Sequence, residues 1–595
     1  MSKLHFYIFV VSTLILSASQ NILHDLSDFS TYIREHLLET KGYEDVLKTA
    51  LYAQSASLPD VEYLMEHEIV CNACPIFANR FIDKRKKGYP QRYFMDTLDF
   101  FCEFIGTRRV CRGYGRHFIN VFLYTVDNKY DLTAERICQV LLTAFGCSYG
   151  IHFNWSVVIP SGGTERPKLG RNENFTILQL SDIHYDPNYM PGGNGVCSEP
   201  LCCQNDQPVP PSSKDRCGYW GDYRNGDSPW HLIENTIKQT KNKTFDFVYY
   251  TGDIMSHRIF DTSIEKNSQL ASKLYSYLRE SFDVPIFPVL GNHEAHPLDF
   301  WAPSVGGFNM SWLYRVAADH WVKMVGQDVS ETVLAGGYYT VSPKPGFRII
   351  ALNNNVAIKS NFWLFYNDGD ARKQLQWLVD TLVEAERNNE RVHIMGHVPP
   401  GTHDVVKEWS RQYSRIVERF ASTIVAQFNG HTHVDELRVF YSSTNTSSTE
   451  AFGVAFNGAA VTPWGTNSNP SFKYYTVDGS SCVVLDYEEY TFNLTRANSN
   501  RTYSPEWYKL YSFKEAYGFE NLMPSEVDKV LHRMATNHSL LDTYFRFYFR
   551  DADVGTRSGC DDRCKRNFLC QMSTTIYGQE CHCRRFLDLY DKINS

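Results

Sequence analysis

Past its first twenty residues, this 595-residue chain has no apolar run approaching the roughly 20 residues that a bilayer-spanning helix needs. It also lacks an excess of positive charge, since 59 Lys and Arg stand against 67 Asp and Glu for a net charge of −8. That balance argues against a nucleic-acid partner, because neutralising phosphates takes a basic surface. Nor is the chain short of apolar residues or dominated by charge: 43% hydrophobic and 21% charged residues exclude a disordered or collagen-like polymer. A chain of this length has room for more than one hydrophobic core, and two or three units are expected.

What is present begins with a secretory pattern. Lys3 precedes an apolar run from Phe6 to Leu16, followed by the small residues Ser17, Ala18 and Ser19. This reads as a signal peptide over residues 1–19, the run being too short for the alternative of a membrane anchor. Sixteen cysteines fit the same oxidising route, as do eight Asn-x-Ser/Thr acceptors at Asn154, Asn174, Asn242, Asn309, Asn445, Asn493, Asn500 and Asn537. The expected destination is the extracellular space, the lysosome, or both.

The cysteines fall into three groups with Cys482 apart. The first group runs Cys71, Cys74, Cys102, Cys111, Cys138, Cys147, with 2, 27, 8, 26 and 8 residues between them. Between these cysteines, Gln91 to Phe104 and Ala134 to Leu142 repeat their apolar residues at helical spacing, which predicts a small all-α bundle stapled by disulfides. Six cysteines allow fifteen pairings, so counting leaves the connectivity open, and Cys71-x-x-Cys74 has the alternative reading of half a zinc site or a redox pair. The spacing resembles a saposin-type domain. That resemblance implies Cys71 with Cys147, Cys74 with Cys138 and Cys102 with Cys111, and it implies contact with lipid.

Polar residues with Pro160, Gly162, Gly163, Pro167 and Gly170 then read as a linker. Beyond it, β-rich runs alternate with helical stretches: Phe175 to Leu180, Phe245 to Tyr250, Pro285 to Leu290, Phe347 to Leu352, Arg391 to Met395 and Thr423 to Phe428. This predicts an α/β layered domain, with β-sheets flanked by helices. After about Asn500 the strand runs disappear, and stretches such as Ser525 to Met534 predict a helical C-terminal region closed by disulfides.

All but one of those strands, Phe347 to Leu352, run into a cluster of metal-capable residues. The clusters are Asp182-Ile183-His184, Gly252-Asp253, Gly291-Asn292-His293-Glu294, Gly396-His397 and Gly430-His431-Thr432-His433. Sites in α/β sheets gather at the carboxyl ends of strands, and a glycine lets the backbone turn sharply there. Imidazoles and carboxylates without thiolates suit zinc, manganese or iron, with zinc expected. Seven donors exceed one tetrahedral ion and fit two that share a carboxylate. Two ions clamp the attacking and leaving oxygens of a phosphoryl displacement and lower the pKa of a bound water, so phosphate-ester hydrolysis is the natural reaction.

The order of motifs resembles the calcineurin-like metallophosphoesterase superfamily across roughly Phe175 to Thr495. On that resemblance Asp182, His184 and His433 hold one ion, Asn292, His397 and His431 the other, and Asp253 bridges. His293 matches the superfamily's catalytic, non-ligating histidine, suited to proton transfer to the departing alkoxide. Gly252-Asp253-Ile254-Met255-Ser256-His257, Gly396-His397-Val398-Pro399-Pro400-Gly401 and Gly430-His431-Thr432-His433-Val434-Asp435 sharpen the match to the acid sphingomyelinases. That family splits sphingomyelin into ceramide and phosphocholine, and the resemblance brings His257 into a catalytic pair with His293; two zinc ions are the expected cofactors. It also implies disulfides Cys197–Cys202 and Cys203–Cys217. One departure stands out: the family ties the loop after Asn-x-Asn to the loop after Gly-His-x-Pro-Pro-Gly by a disulfide, and Ala357 and residues 402–405 offer no cysteine.

The expected layout is a signal peptide (1–19), an N-terminal helical segment (20–66), a saposin-like domain (67–151), a linker (152–174), a metallophosphoesterase domain (175–497) and the helical C-terminal region (498–595). Cys560 with Cys564 looks local, whereas Cys482, Cys570, Cys581 and Cys583 stay unassigned. The expected partner is sphingomyelin in a membrane or lipoprotein surface, reached peripherally through the saposin-like unit by a monomeric enzyme. A related phosphodiesterase acting on nucleotides or other soluble esters is the alternative, because the metal cradle does not read the leaving group. A lipid carrier with an inactive site is the non-enzymatic alternative. Trp363, Tyr366 and Tyr475 are candidate aromatic faces for choline, although packing explains each equally well.

Overall fold

A computed structural model of the chain describes residues 67–102, 107–142, 147, 149–150, 155–163, 165–170, 173–367, 369–442, 449–458, 460–499, 504–579 and 581–594. The expected signal peptide, the segment 20–66 and the acceptors Asn154, Asn445 and Asn500 lie outside the described residues. Of the other acceptors, Asn174, Asn242, Asn309 and Asn537 are exposed and Asn493 is half-buried. No helix among the described residues is long and apolar enough to cross a membrane. The chain divides into two compact units.

The first unit comprises helices His67–Lys86, Gln91–Cys102, Arg108–Asn128 and Ala134–Leu142. Its longest helix buries Val110, Cys111, Tyr114, Phe118, Val121 and Phe122, the spacing of one continuous stripe. Phe81 packs its ring 4.5 Å from Phe94 and 4.6 Å from Phe122, measured between centroids. Disulfides join Cys71 to Cys147 and Cys74 to Cys138, whereas the pairing expected of Cys102 falls on a side chain outside the described residues. Pro75 lies inside the first helix and has no N–H to give Cys71. The Tyr149 hydroxyl donates to that carbonyl instead, at 2.7 Å.

A short stretch from the middle of the expected metallophosphoesterase domain, Phe362–Tyr366, groups with these helices. Phe362 meets Phe118 at 5.1 Å and Phe365 meets Phe122 at 5.7 Å between ring centroids. The Arg136 guanidinium donates to the carbonyls of Leu364 and Phe365, each at 3.0 Å. Five aromatic or aliphatic residues in succession thus complete the core of a unit that lies more than two hundred residues earlier in the chain.

The second unit carries two six-stranded sheets. Strands β1 (Phe175–Leu180), β2 (Phe247–Tyr250) and β3 (Ile286–Pro288) are parallel, and the sheet continues from β1 through antiparallel β10 (Ser471–Val477), β11 (Val484–Thr491) and β12 (Tyr508–Ser512). The other sheet runs β4 (Tyr339–Lys344), β5 (Phe347–Ala351), β6 (Arg391–Met395), β7 (Ile424–Asn429), β9 (Ala451–Asn457), β8 (Leu437–Tyr441). Within it, β5, β6, β7 and β9 are parallel. The sheets meet face to face: Phe175 lies 5.5 Å from Phe347, and Phe428 lies 5.0 Å from both Tyr249 and Tyr475. Both faces of the central strands are covered, which is why they read as continuous apolar runs.

One expectation fails here. Strands do not end near Asn500, because β12 pairs with β11 at the sheet edge. Its Tyr508 and Lys509 are exposed and only Tyr511 and Ser512 are buried, so the edge strand has no apolar run to announce it. The C-terminal helices Pro524–Thr536, His538–Tyr548, Asp562–Ser573 and Cys581–Asn594 contribute Met534, Leu569 and Phe586 to the same core as the sheets. Disulfides link Cys197 to Cys202, Cys203 to Cys217, Cys560 to Cys564 and Cys570 to Cys583. Cys482, buried, and Cys581, exposed, carry free thiols.

Candidate metal centre

The parallel strands β1, β2, β3, β6 and β7 release their chains at one edge, and the donors sit two to four residues beyond each strand. Asp182, His184, Asp253, His431 and His433 all adopt positive φ, between 43° and 74°. Residues with a Cβ rarely enter this region, and such strain gathers at functional sites. The main chain locks the turns in place. Asp182 N donates to Gly252 O at 3.0 Å, His184 N to Asp253 O at 3.1 Å and Tyr185 N to Ile254 O at 2.7 Å. Gly252, at φ 94°, passes so near the next turn that a Cβ there would come within 2.5 Å of Gly291 N.

Two groups of donors share Asp253, and a third, His184, His257 and His433, overlaps the first. Asp182, His184, Asp253 and His433 form the first, and Asp253, His397 and His431 the second. Asp253 Oδ2 lies 3.3 Å from His184 Nε2 and 3.1 Å from His397 Nε2. Asn292 joins the second group through Oδ1, which is 3.0 Å from His397 Nε2 and 2.9 Å from His431 Nδ1. The amide cannot be turned around, because its Nδ2 donates to Asp299 Oδ1 at 2.7 Å.

The imidazoles are oriented for a cation. His184 Nδ1 donates to Met255 O, His397 Nδ1 to Thr251 O and His433 Nδ1 to Trp464 O. In a neutral ring each Nε2 is then an acceptor, and His184 Nε2 and His433 Nε2 lie 3.0 Å apart, both buried. Convergent lone pairs beside carboxylates are costly unless positive charge lies among them. The field agrees. Burial lowers the His184 and His397 imidazoles, but Asp253 outweighs it and pushes each up to about 9. Burial raises the Asp253 carboxyl, and the charges of His397, His293 and His184 outweigh that to hold it well below the ordinary range. This is a cluster able to hold metal ions, with a nitrogen and oxygen donor set that fits zinc.

His293 and His257 stand beside the donors, with ring centroids 4.5 Å apart and 4.7 and 4.2 Å from His184. His293 N donates to Asp253 Oδ1 at 2.9 Å. Burial, reinforced by the neighbouring imidazoles, pushes His293 down to about 3 and His257 well below its usual value.

Sequence reasoning missed the residues that aim these groups. Asp227 accepts from His257 Nδ1 at 3.0 Å and from His257 N at 2.7 Å, while Thr462 donates to it at 2.9 Å. Burial pushes its carboxyl up to about 7. Gly226-Asp227 repeats the Gly-Asp signature, but no apolar strand precedes it. Trp464 stacks on His257 at 3.4 Å, and no pattern announces it. Strand β5, the one run without a metal-capable end, supplies Asn354, whose Oδ1 accepts from His397 N at 3.0 Å and Val398 N at 3.2 Å. Glu294 accepts from Asp253 N at 3.0 Å.

The three residues expected as aromatic faces pack elsewhere. Tyr475 is buried in β10 and donates to Gln179 at 2.8 Å, while Trp363 and Tyr366 pack on Tyr124 within the helical unit. Among the described residues, the aromatic face at the centre is Trp464. The two loops without a disulfide are joined by main-chain bonds: Lys359 N donates to Asp404 O at 2.7 Å and Val406 N to Ala357 O at 3.0 Å, with Ile358 and Val405 paired antiparallel.

Comparisons with known proteins agree with this geometry. The calcineurin-like phosphoesterase family matches residues 175–435, and the acid sphingomyelin phosphodiesterase C-terminal region matches residues 455–584. The sphingomyelin phosphodiesterases of Bos taurus and Homo sapiens are each 34% identical over 469 residues, spanning 77% of this chain and 74% and 73% of their own. Sphingomyelin phosphodiesterase A of Dictyostelium discoideum is 31% identical over 580 residues, 91% of this chain and 95% of its own length.

Proposed function

This chain belongs to the acid sphingomyelinase family, and from that premise we propose that it hydrolyses sphingomyelin to ceramide and phosphocholine. The observation that carries the chemistry is the convergence of seven nitrogen and oxygen donors at parallel strand ends, with Asp253 common to both groups. We assign Asp182, His184 and His433 to one zinc ion, Asn292, His397 and His431 to a second, and Asp253 to both. Two such ions supply Lewis acidity toward the phosphoryl oxygens and a lowered pKa for the attacking water.

The chain's own residues do the rest. His293 is assigned proton delivery to the departing ceramide oxygen, with His257 beside it. Burial lowers the His293 imidazole and so disfavours its protonated form. A phosphodiester brings negative charge against it, which favours the protonated ring, and an acidic medium favours it further. Asp227 accepts Nδ1–H of His257, which fixes the tautomer. Trp464, stacked on His257, is assigned as a ring face for a quaternary ammonium.

The disulfide-stapled helices are assigned the presentation of lipid from a membrane or lipoprotein surface, and the chain is assigned to the lysosome or the extracellular space as a monomer. The supporting facts are the exposed glycosylation acceptors and the disulfides, which suit an oxidising compartment.

Phosphocholine release from sphingomyelin liposomes tests the assignment. His293→Ala should fall by about 100-fold or more, the usual share of a positioned proton donor. Full activity in that variant would sink its role. Equal rates on phosphatidylcholine or a nucleotide diester would sink the choice of substrate.

A further inference from the structure

His431 is held differently from the other donor histidines. His184, His397 and His433 give Nδ1–H to a main-chain carbonyl and turn Nε2 inward. His431 turns Nδ1 toward Asn292 Oδ1, and its outer Nε2 lies 3.2 Å from a carboxylate oxygen, Asp404 Oδ2. A carbonyl fixes a tautomer, whereas a carboxylate fixes it and also makes the ring a stronger donor to a cation.

We propose that Asp404 is a positioning residue for His431, accepting its Nε2–H so that Nδ1 presents a lone pair to the ion assigned to Asn292, His397 and His431. The inference rests on reading His431 as a ligand and adds a residue that no motif of the sequence marks.

The loop that carries Asp404 is built to hold it there. Its own carbonyl accepts from Lys359 N at 2.7 Å, and two residues on, Val406 N donates to Ala357 O at 3.0 Å. These two bonds span the position where the sphingomyelinase resemblance leads one to expect a disulfide. The side chain is buried, at 7% exposure, and its second oxygen lies 3.3 Å from His403 Nε2. The Lys359 ammonium, 2% exposed and without a hydrogen-bond acceptor, feels Asp404 as its main opposing charge.

The test is zinc retention by the full-length, zinc-loaded protein. Parent, Asp404→Asn, Asp404→Ala and His431→Ala would be equilibrated against a graded series of chelator-buffered zinc concentrations, and bound zinc counted per chain. Asp404→Ala should release one of two ions at about 10- to 100-fold higher free zinc than the parent, as expected when an outer partner of a metal-binding histidine is lost. Asp404→Asn keeps an acceptor oxygen without the charge and should fall between; it also serves if the alanine variant fails to fold. A loop that had merely loosened would lower the thermal midpoint of zinc-free and zinc-loaded protein alike, whereas the positioning role confines the loss to the loaded form. Unchanged retention in both Asp404 variants, with His431→Ala losing an ion, overturns the role of Asp404 alone. Unchanged retention in His431→Ala overturns the ligand reading together with it.

Discussion

The helices between His67 and Leu142 and the sheets that begin at Phe175 hold their folds by opposite means. The helical unit has few residues to bury, and two disulfides tie its first helix to its end across 76 and 64 residues of chain. Loop entropy alone makes each such link worth about 4 kcal/mol, though nested links do not add fully. The larger unit has a continuous core running from Val157 to Tyr590. Its disulfides span only 5, 14, 4 and 13 residues and set local turns instead. A small bundle that must keep its shape without a large core depends on covalent links, as surface-to-volume scaling requires. A domain that must place seven donors to a fraction of an ångström depends on rigid strands.

The contrast can be broken from either side. Asp253→Ala removes the donor that both groups share and should lower hydrolysis of liposomal and soluble diesters alike by roughly 10³-fold, the several kcal/mol that metal-ion catalysis supplies. The helical unit should keep its resistance to trypsin in that variant. Loss of that resistance would mean that the two units fold as one.

Cys74→Ser combined with Cys138→Ser attacks the other side. It should cost the helical unit about 4 kcal/mol and lower the rate on sphingomyelin liposomes about tenfold, an order-of-magnitude expectation for lost binding energy. A soluble chromogenic diester should be cleaved within about twofold of the parent rate, since every assigned donor belongs to the other unit. Equal losses on both substrates would remove the case for a separate lipid-presenting role.

The smallest effect concerns acid. Glu489 in β11 is fully buried, 3.7 Å from Lys473. Burial pushes its carboxyl up to about 7, with Lys473 opposing. A carboxyl raised on folding binds its proton more tightly in the native state, so its contribution is full below the unfolded value near 4.5 and is lost as pH rises through about 7. Glu489→Gln should therefore gain roughly 2 to 5 °C in midpoint at pH 8 relative to the parent and nothing at pH 4, by thermal unfolding across that range. A constant difference between the two pH values would contradict the burial argument. If the result holds, the sheet unit owes part of its stability to an acidic medium.

The donors were legible because each sits at the end of an apolar strand, where fold and chemistry share one pattern. Asp182, His184, Asp253, Asn292, His397, His431 and His433 can all be named from the sequence, and they converge in space. Their supports cannot be named that way. Asp227, Asn354, Asp404 and Trp464 come from short segments with no periodicity, and each matters only through a few hydrogen bonds or a ring contact. The fold shows the same division. Central strands buried on both faces announce themselves, while the edge strand Tyr508–Ser512, half exposed, does not. The grouping of Phe362–Tyr366 with the helices depends on contacts more than two hundred residues apart, beyond the reach of any local pattern.

The two main-chain bonds between Ala357–Lys359 and Asp404–Val406 have a consequence for the chain's life outside a fixed compartment. A cystine at that position would be a fuse, since thiols could cut it and free the loop beside the second donor group. Amide hydrogen bonds contain nothing for a thiol to attack. Encountering reductant, this chain would keep the tie between these two loops.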